Sequence, residues 1–502
     1  MEDRSHNHHK YVGLTIGQKT IIVFHYNCRF FIPKNLLDTT EACGYNQDLN
    51  GKYISLMRED RIEMRKKLFC LLLACVMVVS LTACGSSKST STESDDKELS
   101  GEITFVAWGS DNEIECDKKA CEKFEELHPG TKVNFEAIND DYATTVETRY
   151  LGGESPDVIY GHPQTLLKWI QEGMLMPLTD VYEEHHDELF DDDVFFTNLY
   201  DSYKYKDDYY AIPVGADTFV LFYNKDMLDA AGIEYPTKGT TWEEFAEMCN
   251  KLTVRDKKGV PTQLGIESIT DNWLLILYAM GGKMFDDVNE PTKVVFESSE
   301  ALKMLTWIKD NYKKEGGFTA SENDSTYLSG GFSAGEYAFM ISGVYDIVYL
   351  KDIKDFNWDI APLPGTMSKE GDTGILYAGY GVSAKSENPE LAKEFAYFMS
   401  TKDAQTIMGE SGLITSCRKD VAYSDDILNT KGAPEHNSLR VDNISYGQNT
   451  QGQCLCWEEM TTAVDNTIYK MVNGKLTPKQ AMKKIQKDCS KLLEEELNDK
   501  DK

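Results

Sequence analysis

Residues 209–224 read YYAIPVGADTFVLFYN, a long run of strand-forming side chains interrupted only by Pro213 and Gly215. Aromatic and β-branched residues of this kind suit an extended backbone. The chain has a different character on either side of it. Upstream, EITFVAW (102–108) is followed by an amphipathic stretch from Glu113 to His128, a stop at Pro129-Gly130, and the apolar segment TKVNFEAI. SPDVIYG, QTLLKWIQEG with its closing Gly173, and MLMPLTDV continue the alternation. Strands alternating with helices at this spacing predict a parallel, doubly wound α/β layer. Downstream, KDMLDAAG and TTWEEFAEMCNKLT read as helices, with Thr240 or Thr241 as cap and Glu243 and Glu244 in the first turn. Helices dominate as far as Gly316, apart from a hairpin around 256–259 in VRDKKGVPTQLGIES. SEALKMLTWIKDNYKKEGG is a helix stopped by two glycines. WDIAPLPG (358–365), the β-rich ILYAGYGVSA and the helical PELAKEFAYFMS follow. Two amphipathic helices close the chain, the second after Thr477-Pro478.

The 502 residues suffice for two or three domains with sizeable cores. The formal charge of -31 repels phosphate backbones and anionic lipid headgroups, which argues against nucleic acid as a partner. With 41% apolar and 11% aromatic residues the chain is too rich in core formers to be an acidic disordered segment. A mean hydropathy of -0.44 is too polar for a protein of many membrane spans.

One local segment departs from that average. From Met64 the chain reads MRKK, LFCLLLACVMVVSL and then Leu81-Thr82-Ala83-Cys84: a basic region, an apolar region and a small-residue cleavage site. The apolar run 68–83 is 16 residues, short for a spanning helix. LTAC resembles the lipobox of bacterial lipoproteins, which implies a signal peptide over 64–83, lipidation of Cys84 as the mature N-terminus, and a flexible tether over 84–100 rich in Ser, Thr, Asp and Glu. A signal of this type normally begins a protein. Translation is therefore expected to start at Met64, or at Met57, with residues 1–63 an upstream segment or disordered, and with no metal role for His6, His8 and His9. Residues 1–83 hold 11 Lys and Arg against 8 Asp and Glu, so the exported part is more acidic than the whole.

The cysteines after Cys84 are Cys116, Cys121, Cys249, Cys417, Cys454, Cys456 and Cys489, an odd and widely spaced set that does not form a disulfide framework. Cys454-x-Cys456 has the spacing of a redox or metal pair, and equally that of two packed residues beside Trp457. Catalytic signatures are missing: there is no HExxH, no GxxxxGK[ST] and no GxSxG. Gly379-Tyr380-Gly381-Val382-Ser383-Ala384 fits GxGxxA without the βαβ context of a dinucleotide site, and reads as a turn. Glu243-Glu244 belongs to a helix start, and 191–193 is an acidic run rather than a glycosidase pair. His185 and His186, adjacent on a helix, point apart.

Taken in order, ITFVAWG, SPDVIYG with EGMLMPLTD, YYAIPVGADTFVLFYNKDMLDAAGI with TTWEEFAEMCNKLT, FSAGEYAFMISGVYD, WDIAPLPG, GYGVSAKSENPELAKEFAYFMSTKDAQ and CWEEMTTAV resemble the family 1 extracellular solute-binding proteins of bacterial ABC importers, the group that includes maltose-binding proteins. The resemblance runs from Gly101 to about Leu493. It implies a two-lobed α/β fold of the type II periplasmic-binding-protein kind, with crossings near 213–217, 361–365 and 413–418 and a ligand cleft between lobes. The first lobe would hold 101–213 plus 366–415, the second 216–360 plus 418–495. It further implies a monomer, without enzymatic activity or cofactor, lipid-anchored at the outer face of the cell membrane. Its partners would be a carbohydrate ligand and the permease chains and ATPases of the importer. A polyamine is the alternative ligand, since carboxylates and aromatic boxes attract cations.

A sugar site needs flat apolar faces for the C–H side of the ring and polar groups for its hydroxyls, both of which Trp and Tyr provide. The chain holds 27 Tyr and 7 Trp. By the resemblance, Tyr345 in ISGVYD stands where a stacking tryptophan stands in maltose-binding proteins, Trp457 in CLCWEE matches another, and Asp217 matches a carboxylate that accepts sugar hydroxyls. Strand ends add Trp108, Asp111 and Asn112; Tyr160, His162 and Gln164; Asn272 and Trp273; and Tyr377 and Tyr380. An aromatic beside an apolar run is equally suited to the core, as expected for Tyr223.

Overall fold

The computed structural model describes residues 14–16, 19–21, 99–313, 316–320, 327–365, 373–432, 434–450 and 454–500. The proposed signal peptide, Cys84 and nearly all of the tether lie outside them. The chain divides into two units, 1–95 and 96–502. In the first, Leu14–Ile16 pairs antiparallel with Lys19–Ile21, a hairpin where no clean strand pattern was expected.

The second unit begins with β1 (Gly101–Ala107), α1 (Asp111–Leu127) and β2 (Thr131–Ala137). Ser110 caps α1: its Oγ accepts from Glu113 N–H at 3.3 Å, and Glu113 Oε2 accepts from Ser110 N–H at 2.7 Å. This reciprocal pair satisfies two donors that the first helical turn leaves open. β3 (Val158–Gly161) and α2 (Pro163–Gln171) follow. β1 pairs in parallel with both β2 and β3. The parallel expectation holds for these three strands, and again where Pro261–Ile266 pairs with Tyr337–Gly343. The next neighbour, Thr373–Val382, runs antiparallel to β3.

β4 (Ala211–Asn224) is the long run read first in the sequence, 14 residues and therefore about 45 Å of strand. Its first half pairs antiparallel with Thr373–Val382, in register from Thr218 opposite Ile375 to Ala211 opposite Gly381. Its second half pairs antiparallel with Tyr337–Gly343 on one edge and Trp358–Ala361 on the other. One strand thus belongs to both halves of the sheet. The irregularity in its pairing falls between the Ala378–Gly215 and Gly379–Pro213 partners, which accommodates a proline in an otherwise central strand. Gly215 is needed for a different reason: a Cβ there would lie 2.1 Å from the carbonyl oxygen of Thr415, on the short strand Thr415–Ser416 that pairs across it.

Two large cores flank this strand. The first gathers Phe105, Phe124, Trp169, Tyr200 and Phe395, and takes Ala216 from β4. The second gathers Trp242, Phe245, Trp273, Trp307 and Ile468, and takes Leu221 and Tyr223. Tyr223 is buried, as expected. Val220 and Phe222, on the opposite face, join a smaller cluster with Phe332, Val344 and Ile347. Cys417, Ala422, Val441 and Ile444 pack in the first core, and the chain contributes to the second again from Cys454. Between them the chain also reaches the second half, with His436 Nδ1 2.7 Å from Asp359 Oδ2 and Glu435 paired with Lys225 at 3.0 Å.

The C-terminal helices Trp457–Val472 and Pro478–Lys500 close the second core. The cysteines from Cys116 to Cys489 are unbridged among the described residues. Among those residues no helix is long and apolar enough to cross a membrane.

Candidate functional site

The carboxyl ends of β1 and β3 lie side by side because the strands are parallel neighbours. Trp108 follows the first and Tyr160 sits in the second. Their rings meet edge to face at 4.5 Å between centroids, and Trp108 also lies 4.6 Å from Tyr142 and 5.0 Å from His162. The Tyr142 hydroxyl donates to the carbonyls of Val106 and Tyr160, at 3.1 and 2.7 Å, and so pins the two strand ends together. His162 caps the start of α2, with Nδ1 3.1 Å from the carbonyl oxygen of Tyr377. Burial lowers the His162 pKa, which favours the neutral ring. A carbonyl only accepts, so Nδ1 carries the proton and Nε2 is left as an acceptor.

Asp217 lies in the shared strand and is buried. Its Oδ1 accepts from the Thr415 amide at 3.2 Å and from the Thr415 hydroxyl at 3.4 Å. Thr415 Oγ1 in turn accepts from Arg440 Nε at 3.2 Å, and Arg440 Nη2 donates to Gly412 O at 3.3 Å. Burial pushes Asp217 up to about 7, against the opposing pull of Arg440 and the Thr415 amide. Glu113 adds a further upward push, which places the α1 start near this carboxyl.

From the second half, Tyr345 follows Tyr337–Gly343 in a tight helical turn. Burial raises its hydroxyl pKa, and the Asp217 charge adds to that rise. A Cβ on Gly343 would come 2.1 Å from Tyr345 Cε1, so glycine leaves the ring its place. Ser342 Oγ donates to Asp346 Oδ2 at 2.5 Å beside it. The assembled surface thus combines half-buried aromatics from the first half, an acidic group on the shared strand and a tyrosine from the second. Such a set offers ring faces to C–H groups and both acceptors and donors to hydroxyls.

The other expected residues are dispersed. Asp111 and Asn112 are exposed at the start of α1, and Gln164 is half-buried in α2. Asn272 turns its amide to Ser268 O at 3.0 Å. Trp273 is core, donating to Asp465 Oδ1 at 3.1 Å and packing on Phe296. Tyr377 and Tyr380 are buried in the first core, the former donating to Ser202 and the latter against Phe105 and Tyr160. Both faces of Thr373–Val382 are covered, so no alternation along the strand would have separated core from cleft. Trp457 is 7% exposed and packs on Phe285 at 5.7 Å. Sequence reasoning missed Glu113, Arg440 and Thr415. Glu113 was legible only as part of a helix start, and Arg440 sits in NSLRVD, which carries no motif. Asp117, one turn beyond Glu113, is also buried, and desolvation holds its pKa well above the ordinary carboxylate value.

Comparison with known proteins places the chain among binding proteins. The sequence model described as bacterial extracellular solute-binding protein matches residues 112–406. The galactooligosaccharide-binding protein of Bacillus subtilis is 25% identical over 439 residues, covering 84% of this chain and 96% of its own. The multiple sugar-binding protein of Streptococcus mutans is 24% identical over 364 residues, 68% of this chain and 79% of its own. An ABC substrate-binding protein from Listeria monocytogenes, solved in complex with cycloalternan, superimposes with a TM-score of 0.65 at 26% identity, covering 79% of this chain and 100% of that one.

Proposed function

Because the chain belongs to the bacterial extracellular solute-binding protein family, we propose that it captures an oligosaccharide outside the cell and hands it to the permease of an ABC importer. The observation that carries this reading is the placement of Asp217 on the one strand shared by both halves, with aromatic groups of each half nearby. The relatives named for sugars, and the Listeria protein with its bound cycloalternan, support the ligand class. The ligand leaves unchanged, since binding alone is the task.

In mechanical terms the two lobes are those the resemblance implies, 101–213 with 366–415 and 216–360 with 418–495, and the ligand bridges them. A ligand that contacts both lobes gains contacts only in the closed form, so its binding free energy shifts the equilibrium towards closure. A micromolar ligand supplies about 8 kcal/mol, enough to shift a hinge equilibrium by several powers of ten. The permease reads the closed form. Within this reading Trp108, Tyr160, His162, Asp217 and Tyr345 line the ligand site. The protein acts as a monomer held at the outer membrane face by acyl chains on Cys84, two of which anchor stably where one binds reversibly.

The test is tryptophan fluorescence and thermal shift of the protein against mono- and oligosaccharides, with spermidine alongside. A saturable response to one glycan without product formation is expected. A response to spermidine and none to any sugar would transfer the ligand class to polyamines.

A further inference from the structure

Cys454 and Cys456 lie in the segment that leads into the helix Trp457–Val472, and Cys456 is its N-terminal cap. Glu496 lies about one turn before the end of the last helix, Pro478–Lys500. The sulfurs of Cys454 and Cys456 and a carboxylate oxygen of Glu496 all lie within 4.8 Å of one another. Glu496 is not there by chance of an exposed surface: its Oε2 accepts from the Cys456 amide at 2.9 Å, which fixes the carboxylate against the loop. Cys454 is 1% exposed and Cys456 half-buried.

We propose that Cys454, Cys456 and Glu496 form a binding site for a single thiophilic divalent cation of the zinc class. Two thiolates and one carboxylate are a donor set that such a borderline-soft ion prefers and that hard ions such as calcium and magnesium do not. A tetrahedral ion with metal–sulfur bonds of about 2.3 Å separates its ligand atoms by roughly 3.8 Å. Ligand atoms within 4.8 Å of one another are within about 1 Å of that spacing. Binding replaces the thiol protons of Cys454 and Cys456 by the cation and releases both to solvent. Cys489 is a further sulfur close by: it precedes Glu496 by seven residues, two helical turns, and so shares its face. Burial, then the nearby Asp488 and Cys456, push the Cys489 thiol up to about 12. It stays protonated beside a three-ligand site unless the ion recruits it as fourth ligand. Loop and last helix are far apart in sequence, so the ion would cross-link them and set the start of the helix that begins with Trp457.

The experiment uses the reduced full chain and cobalt(II) as the spectroscopic probe, then zinc. One equivalent of cobalt is expected to give the thiolate-to-metal absorption and the visible bands of a tetrahedral site, displaced by zinc. Zinc is expected to protect Cys454 and Cys456, identified by peptide mass, from alkylation. Cys456→Ser should weaken cobalt binding at least tenfold, and the isosteric Glu496→Gln should weaken it while the metal-free variant melts as the parent does. That second variant separates ligand loss from misfolding. The proposal is overturned by a cobalt spectrum unchanged in both variants, by alkylation of both cysteines at an undiminished rate with zinc present, or by a Cys454–Cys456 disulfide in the protein as secreted. Sugar binding is read separately and decides none of these outcomes.

Discussion

Asp217 gives the site a pH dependence that can be read directly. Its pKa rises from an ordinary 3.8 to about 7 on folding, because the carboxylate is buried. The folded state therefore holds its proton more tightly than the unfolded chain. Stability from this group is full below about pH 4 and is lost as pH rises towards 7, by roughly 4 kcal/mol at most over that window. Asp217→Asn is expected to flatten that part of the stability profile in denaturant titrations at a series of pH values, and to weaken ligand binding at least tenfold. An unchanged slope would mean that Asp217 is ionised and solvated in the folded protein. Arg440 is its complement: buried, facing Asp217 through Thr415, with burial lowering its own pKa. Arg440→Met removes a buried cation and leaves a buried acid without compensation, a change that costs about 3–5 kcal/mol in comparable pairs. Its melting temperature should fall steeply at pH 8 and much less at pH 4, where Asp217 is protonated in the folded protein. Neither residue was equally legible beforehand. Asp217 stood out by resemblance, whereas Arg440 is far from it in sequence and only folding brings them together.

At the scale of elements the shared strand β4 is the most constrained. A methyl group on Gly215 would collide with the Thr415 carbonyl, a backbone atom that cannot rotate away. Gly215→Ala is expected to destabilise by about 1–3 kcal/mol or more in chemical denaturation. A neutral substitution would show that the Thr415–Ser416 crossing is free to lift off. The helix starts illustrate two degrees of legibility. Thr241 and Glu244 form the reciprocal cap that TTWEEF announces, with Oγ1 3.1 Å from Glu244 N and Glu244 Oε2 2.8 Å from Thr241 N. Ser110 and Glu113 make the same device at α1, but the sequence pattern there suggested a start near Glu113. The apolar periodicity of a helix does not reach back to its cap. Ser110→Ala should cost about 1 kcal/mol, and because Glu113 pushes Asp217 up, it should also alter the Asp217 titration.

For the whole molecule, the proposed closure makes a prediction about shape. The radius of gyration from small-angle scattering should fall on saturation with the bound glycan and stay constant with a non-binding sugar; no change on saturation would argue that the lobes are already locked. What the sequence by itself determined is the α/β alternation, the long shared strand and the family, because these rest on local periodicity and on motifs in linear order. It also determined that the chain is strongly acidic. Only the tertiary structure decided which aromatics meet at the strand ends and which are taken into the cores. Trp108, Tyr160 and His162 meet because parallel strands end side by side, while Trp273 and Tyr380, alike in composition and local context, are consumed by the cores. The return of the chain to the second core after residue 450, and the approach of Arg440 to Asp217 and of Glu496 to Cys456, were likewise decided there. Contacts between residues distant in the chain leave no periodic trace in it, since each partner is compatible with many neighbours until packing selects one.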